Sequence, residues 1–141
     1  MTIVIPRHTS PDSEFESLWL ESPRRIGRGT ARDVYEISDH PDKVLKVCSG
    51  QSNFSNWMEI LVYSQFKETG DLAELFSWSW SGKFLVMERL TPLESGELSS
   101  HRIPRYLTDR KPENYGKDAS GKIKALDYAA LAIDNSISDF M

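Results

Sequence analysis

A chain of 141 residues has room for one hydrophobic core of ordinary size but not for two full lobes. Its 39% hydrophobic and 27% charged residues are close to globular averages and exclude wholesale disorder, and no window approaches the roughly 20 apolar residues of a membrane span. With 17 basic against 21 acidic residues the formal charge is −4, which excludes a nucleic-acid binder that works by overall phosphate neutralisation.

Residues 1–22 read as an N-terminal arm. Pro6 and Pro11 interrupt it, Ser and Asp are frequent, and only Phe15, Leu18, Trp19 and Leu20 look able to dock. The pattern predicts a flexible arm with one short helical turn, capped by Asp12 or Ser13 with Glu16 near the capping-box position. The apolar start from Met1 to Ile5 lacks both a basic leader and a secretory-length run, and Cys48 is the single cysteine. Together these lead to the expectation of a cytoplasmic protein without an intrachain disulfide.

Residues 23–90 carry strand and helix patterns. Arg25-Ile26-Gly27, Val34 to Ile37 and Val44 to Val47 are rich in β-branched and aromatic residues, and predict three successive antiparallel strands with a turn at Asp39 to Asp42. Between Asn53 and Phe66, the spacing of Phe54, Trp57, Met58, Leu61 and Val62 predicts an amphipathic helix with that stripe inward, stopped by Gly70-Asp71. Ala73 to Trp80 and Lys83 to Leu90 predict two further strands around Ser81-Gly82. In residues 91–141, the polar stretch Thr91 to Ser100 reads as a connector, and Lys117 to Lys122 as the turn of a hairpin. The fold class is therefore α+β: a five-stranded antiparallel sheet, one main helix and a terminal hairpin segment.

Several residues on this framework carry chemistry. Gly27 and Gly29 let the backbone turn tightly and bring N–H groups close to phosphate oxygens. Arg24, Arg25, Arg28 and Arg32 cluster around them, an arrangement suited to a small polyphosphate; Arg32 is read as solvated in preference to lying over the phosphates. Lys46 sits among apolar residues on a strand and needs a partner, since an unpaired buried ammonium is costly. Glu59 on the following helix is the natural partner, although it could instead cap that helix through Asn56-Trp57-Met58-Glu59. Met87-Glu88-Arg89-Leu90 ends an apolar strand. Further on, Leu107-Thr108-Asp109-Arg110-Lys111-Pro112-Glu113-Asn114 precedes Leu126-Asp127-Tyr128-Ala129.

In this order the motifs resemble those of protein kinases, over residues 24 to 130. Ile26 to Tyr35 is similar to the glycine-rich loop GxGxxGxV with Arg32 at the third glycine, Val44 to Val47 to the VAIK strand, and the last two segments to HRDLKPEN and DFG. The resemblance implies ATP and Mg²⁺ as cofactors. It implies that Gly27, Gly29 and Val34 cover the nucleotide, that Lys46 contacts its phosphates with Glu59 fixing Lys46, and that Met87, Glu88 and Leu90 form the gatekeeper and hinge. Asp109 would orient the acceptor hydroxyl, Lys111 would neutralise the moving phosphoryl group, and Asn114 and Asp127 would hold the metal.

Leu107 and Thr108 replace the usual His and Arg, Tyr128-Ala129 replaces Phe-Gly, and the interval from Leu90 to Asp109 is too short for the usual second-lobe helices. The chain thus resembles the reduced bacterial, phage or effector-type miniature kinases that lack most of the second lobe, which would put it in a host cell's cytoplasm in the last two cases. Three functions follow as expectations. The first is a phosphotransferase acting on protein Ser or Thr hydroxyls, the second a pseudokinase-like protein that binds nucleotide and regulates a partner, and the third, ranked lowest, a small-molecule phosphotransferase. A protein substrate or regulatory partner is expected, self-association is open, and neither membrane nor nucleic acid is expected as a partner. Ile133, Ile137 and Phe140 have helix-like spacing in the tail, for packing on the domain or on a partner.

Overall fold

A computed structural model describes residues 3–7, 9–22, 24–28, 31–50, 52–107 and 111–129, with Arg28 described by its backbone. The fold is α+β, built on a five-stranded antiparallel sheet and one main helix, as the sequence pattern predicts and consistent with the first lobe of a protein kinase. The strands are β1 (Arg25–Arg28), β2 (Arg32–Ile37), β3 (His40–Cys48), β4 (Leu75–Trp78) and β5 (Phe84–Glu88), in the order β1-β2-β3-β5-β4. The β2–β3 turn is tighter than the expected Asp39 to Asp42. It is confined to Ser38 and Asp39, and Asp39 takes φ 68°, a left-handed conformation that Asp tolerates better than most residues.

Period-two alternation divides the central strands between two cores. On β3 and β5, Leu45, Val47, Phe84 and Val86 face one way, and Val44, Leu85 and Met87 face the other. Helix α1 (Asp12–Leu20) covers the first face: Phe15 is fully buried and stacks on Phe84 with ring centroids 6.1 Å apart. Here the structure corrects the flexible-arm expectation. Ile3 N–H donates to Asp39 Oδ2, Thr9 N–H to the Trp78 carbonyl and Trp80 N–H to the Ser10 carbonyl, so the segment is tied down at Ile3, Thr9 and Ser10. Neither Asp12 nor Ser13 caps the helix. Pro11 holds the N-cap position without a side-chain bond, and the Asp12 carboxylate instead accepts from the Ser81 N–H and hydroxyl. Of the four side chains expected to dock, Phe15 and Leu18 are buried, whereas Leu20 is exposed.

Helix α2 (Phe54–Phe66) lies over the other face and continues into a 3-10 turn (Lys67–Thr69) that Gly70 ends at φ 74°. Its span matches the prediction and its rotation does so only in part: of the predicted stripe, Val62 is buried and Met58 packs against the core. Phe54, Trp57 and Leu61 are exposed, while Asn56, Glu59, Ile60 and Val62 are buried. Asn56 explains part of this: its amide donates to the carbonyls of Gly82 and Lys83 and so binds the polar side of the helix to the turn before β5.

A second sheet of order β6-β7-β8 comprises β6 (Thr91–Pro92), β7 (Tyr115–Lys117) and β8 (Ile123–Ala125). The β7–β8 hairpin is the expected one, and β6 adds a short strand where a connector is predicted. Backbone bonds from Ala73 N–H to the Ala125 carbonyl and from Ala125 N–H to the Asp71 carbonyl, both 2.8 Å, dock this sheet against the segment after α2. Gly116 permits the close approach, because a Cβ there would lie 2.6 Å from Leu90 Cβ and 2.8 Å from the Thr91 carbonyl oxygen. Among the described residues no helix is long and apolar enough to cross a membrane.

Candidate functional site

The site forms where β2, β3, α2 and the end of the hairpin converge. Strand parity places Lys46 on the face that carries α2, between Val44 and Cys48, and the antiparallel register sets Val34 opposite Lys46 and Arg32 opposite Cys48. Val34, Lys46 and Arg32 therefore share that face. Glu59 reaches it from α2 and is 0% exposed. Its Oε1 accepts from Lys46 Nζ at 2.8 Å and from Arg32 Nη1 at 2.5 Å, and its Oε2 accepts from the Tyr128 N–H at 2.8 Å. The alternative role for Glu59 as a helix cap is excluded, since α2 begins at Phe54 and Glu59 lies in its interior.

Lys46 Nζ also donates to the Leu126 carbonyl at 2.5 Å, which joins the strand lysine to the residue before Asp127. Tyr128 is buried and its hydroxyl donates to the Ala73 carbonyl, so Asp127 is held between two anchored neighbours. Asn114 is brought to the same place by its backbone, whose carbonyl accepts from the N–H groups of Leu126 and Asp127. The residues before Asp109 pack on α2 and the core: Tyr106 stacks on Phe66 with centroids 3.9 Å apart, and Leu107 is buried.

Arg32 overturns the solvated reading. Its side chain is 9% exposed, and its guanidinium joins α2 to the segment after β8: Nη1 donates to Glu59 and to Asn56 Oδ1, and Nη2 donates to Asp127 Oδ1 at 3.0 Å. Burial of Arg32 is tolerable because each side of the planar fork finds an acceptor. The electrostatics follow from this crowding. Burial by itself raises the Glu59 carboxyl, but Lys46 and Arg32 outweigh it and hold the group at about 2. Burial dominates the other way at Lys46, whose ammonium is held below the usual lysine range despite Glu59, with the like charge of Arg32 acting in the same direction. The partners differ because Glu59 faces two cations and an N–H, whereas Lys46 shares one carboxylate oxygen with a competitor.

Other predicted positions fall around this cluster. Gly27 pairs with Val34 across β1 and β2. Met87 is fully buried in the core on the α2 side. Glu88 is committed within the fold, its N–H donating to the Glu74 carbonyl and its carboxylate pairing with Lys124 at 3.2 Å, while Leu90 packs against Gly116. Lys111 is exposed at the start of a 3-10 turn (Pro112–Asn114). Gly29, Asp109 and the tail stripe Ile133, Ile137 and Phe140 lie outside the described residues. Sequence reasoning missed Asn56, Tyr128 and the true position of Arg32; an arginine at the head of an alternating strand, on the same parity as Val34, was the available signal.

By chemistry, Asp127 and Asn114 are oxygen donors of the kind a hard divalent cation takes: Asp127 is 47% exposed with its Oδ1 held by Arg32, and the Asn114 backbone lies against it. Mg²⁺ is commonly bound by one or two such protein oxygens, with phosphate and water completing the shell. Among the described residues there is no group of three or more His, Cys, Asp and Glu side chains that would form an all-protein metal cage.

No family model and no curated protein matches the chain. Solved structures similar to it include a co-crystal structure of WbdD with the kinase inhibitor LY294002, at 15% identity and a TM-score of 0.48, covering 80% of this chain and 34% of that one. A medium-resolution structure of the bifunctional kinase-methyltransferase WbdD is similar at 16% identity and a TM-score of 0.44, with 78% and 33% covered. The chain spans about a third of the length of WbdD.

Proposed function

We propose that the protein is a reduced kinase-like phosphotransferase that uses ATP and Mg²⁺ and acts on protein Ser or Thr hydroxyls. The observation that carries this reading is the buried Lys46–Glu59 pair with Lys46 bonded to the carbonyl of Leu126, the residue before Asp127; it supports Lys46 as the phosphate-binding cation and Asp127 as the metal ligand. Burying two charges is expensive, and a well-packed apolar pair would serve stability as well. A buried ion pair on the face shared with Val34 supports a ligand-binding role.

In this reading the β1–β2 turn and Val34 cover the nucleotide, Lys46 binds its phosphates, and Glu59 keeps the ammonium from swinging away. Asn114 and Asp127 hold the metal, which when bound neutralises phosphate charge. Asp109 orients the acceptor hydroxyl and Lys111 offsets charge on the transferring group. A second reading, a nucleotide-binding regulator of a partner protein, is favoured by the exposed stripe of Phe54, Trp57 and Leu61 on α2.

Radiolabelled ATP with Mg²⁺ tests both. Wild type should show a nucleotide-dependent rise in melting temperature and phosphate transfer to itself or to an added protein, and Lys46→Ala and Asp127→Ala should lose transfer. A clear shift without transfer selects the regulator, and a folded protein with neither signal refutes both.

A further inference from the structure

The cluster contains two cations, Arg32 and Lys46, and two carboxylates, Glu59 and Asp127, all joined by contacts of 3.0 Å or less. It is balanced before any ligand arrives. Arg32 is the member that creates the balance, because without it two carboxylates would face one ammonium. The guanidinium stays charged at all relevant pH values and cannot be neutralised by losing a proton. It also holds one oxygen of the carboxylate that a divalent cation would need.

We propose that Arg32 is a positioning residue that couples metal binding to polyphosphate binding. Resting on the nucleotide reading above, it holds Asp127 through Oδ1 when the site is empty of phosphate and opposes a divalent cation arriving alone. A divalent ion would add two positive charges to a neutral cluster, within a few ångströms of a fixed guanidinium. A polyphosphate supplies the missing negative charge, so the ion binds more tightly together with it. Because the coupling is between two ligands, it must be reciprocal.

Mn²⁺ binding is followed by the electron paramagnetic resonance signal of the free ion, with the Mn²⁺ taken up by the analogue alone in a protein-free control subtracted. Wild type should bind Mn²⁺ at least about tenfold more tightly with a non-hydrolysable ATP analogue than without it. Arg32→Met should bind Mn²⁺ alone about tenfold more tightly than wild type, and Arg32→Lys, which keeps the charge but not the fork, should fall between the two. The gain should vanish in Arg32→Met/Asp127→Asn. A residue needed only for folding would lose affinity when removed, not gain it.

Equal Mn²⁺ affinity of wild type with and without the analogue overturns the proposal with no variant required, as does a gain in Arg32→Met that survives Asp127→Asn. The analogue's own binding is measured in parallel by thermal shift. If it fails to bind, the nucleotide reading falls and this proposal with it; if it binds while the Mn²⁺ affinities stay equal, only the role of Arg32 falls.

Discussion

Replacing Glu59 by Gln removes one charge while keeping the shape of the side chain, and so isolates the ionic part of the cluster. Glu59 meets three donors with two oxygens. An amide offers one acceptor and one donor, so Gln leaves either two cations or the Tyr128 N–H facing an N–H. Removing one partner of a buried pair costs about 3–5 kcal/mol. The carboxyl itself gives a similar figure: a fall from 4.5 to about 2 corresponds to about 3 kcal/mol at neutral pH, and Glu59 is fully buried, so solvent does little to reduce it. For a chain of this length that is a loss of roughly 10 °C in Tm.

The pH dependence supplies the control. Because the folded value lies below the unfolded one, the stabilisation is complete above about pH 4.5 and is lost as the pH falls toward 2. Urea denaturation of wild type and Glu59→Gln at a series of pH values should therefore show a gap of about 3 kcal/mol at pH 7 that narrows to about 1 kcal/mol near pH 3. Other carboxylates titrate in both proteins and cancel in the difference. A gap under about 1 kcal/mol at pH 7, or one that stays constant into acid, would refute the ionic account of Glu59.

Phe15→Ala should cost about 3–4 kcal/mol in equilibrium urea unfolding, because Phe15 is fully buried against Phe84; a loosely attached arm would give almost no loss. The two sides of α2 should respond oppositely in the same assay: Leu61→Lys should change stability by no more than about 0.5 kcal/mol, whereas Val62→Ala should lose about 2 kcal/mol. Gly116→Ala should destabilise by about 1–3 kcal/mol, since its Cβ would meet Leu90 and the Thr91 carbonyl and the second sheet would have to shift. Thermal melts in which Gly116→Ala matches wild type would show that this approach is not tight.

What the sequence made legible follows from the range of the interactions involved. Strand alternation and turn residues are local, and β1 to β5, the span of α2 and the β7–β8 hairpin were all readable from them. Lys46 and Glu59 were readable as a pair because a lysine on an apolar strand demands a partner and the next helix offers one carboxylate at a suitable turn. Phe15 and Leu18 were readable as docking residues, but the face that α1 covers was not, since Phe15 meets Phe84 only in the assembled fold. Arg32 was misread for a related reason. Its acceptors, Glu59 and Asp127, are 27 and 95 positions away, and only the assembled fold shows that a charged residue beside a glycine turn points inward.

The rotation of α2 turns on the same competition between apolar and ionic terms. The helix is apolar most of the way round: turning it to bury Phe54, Trp57 and Leu61 would gain roughly 1–2 kcal/mol for each of these partly exposed residues. It would also withdraw Ile60 and Val62 from the core, so most of the gain would cancel. What does not cancel is Lys46. With Glu59 rotated away, a buried ammonium and a buried guanidinium would share the face without a carboxylate from α2, at a cost of about 3–5 kcal/mol for a broken buried pair. Asn56 adds its bonds to Gly82 and Lys83 on the same side. The polar residues therefore set the orientation, and the apolar stripe left facing outward is a consequence of keeping the ion cluster inside.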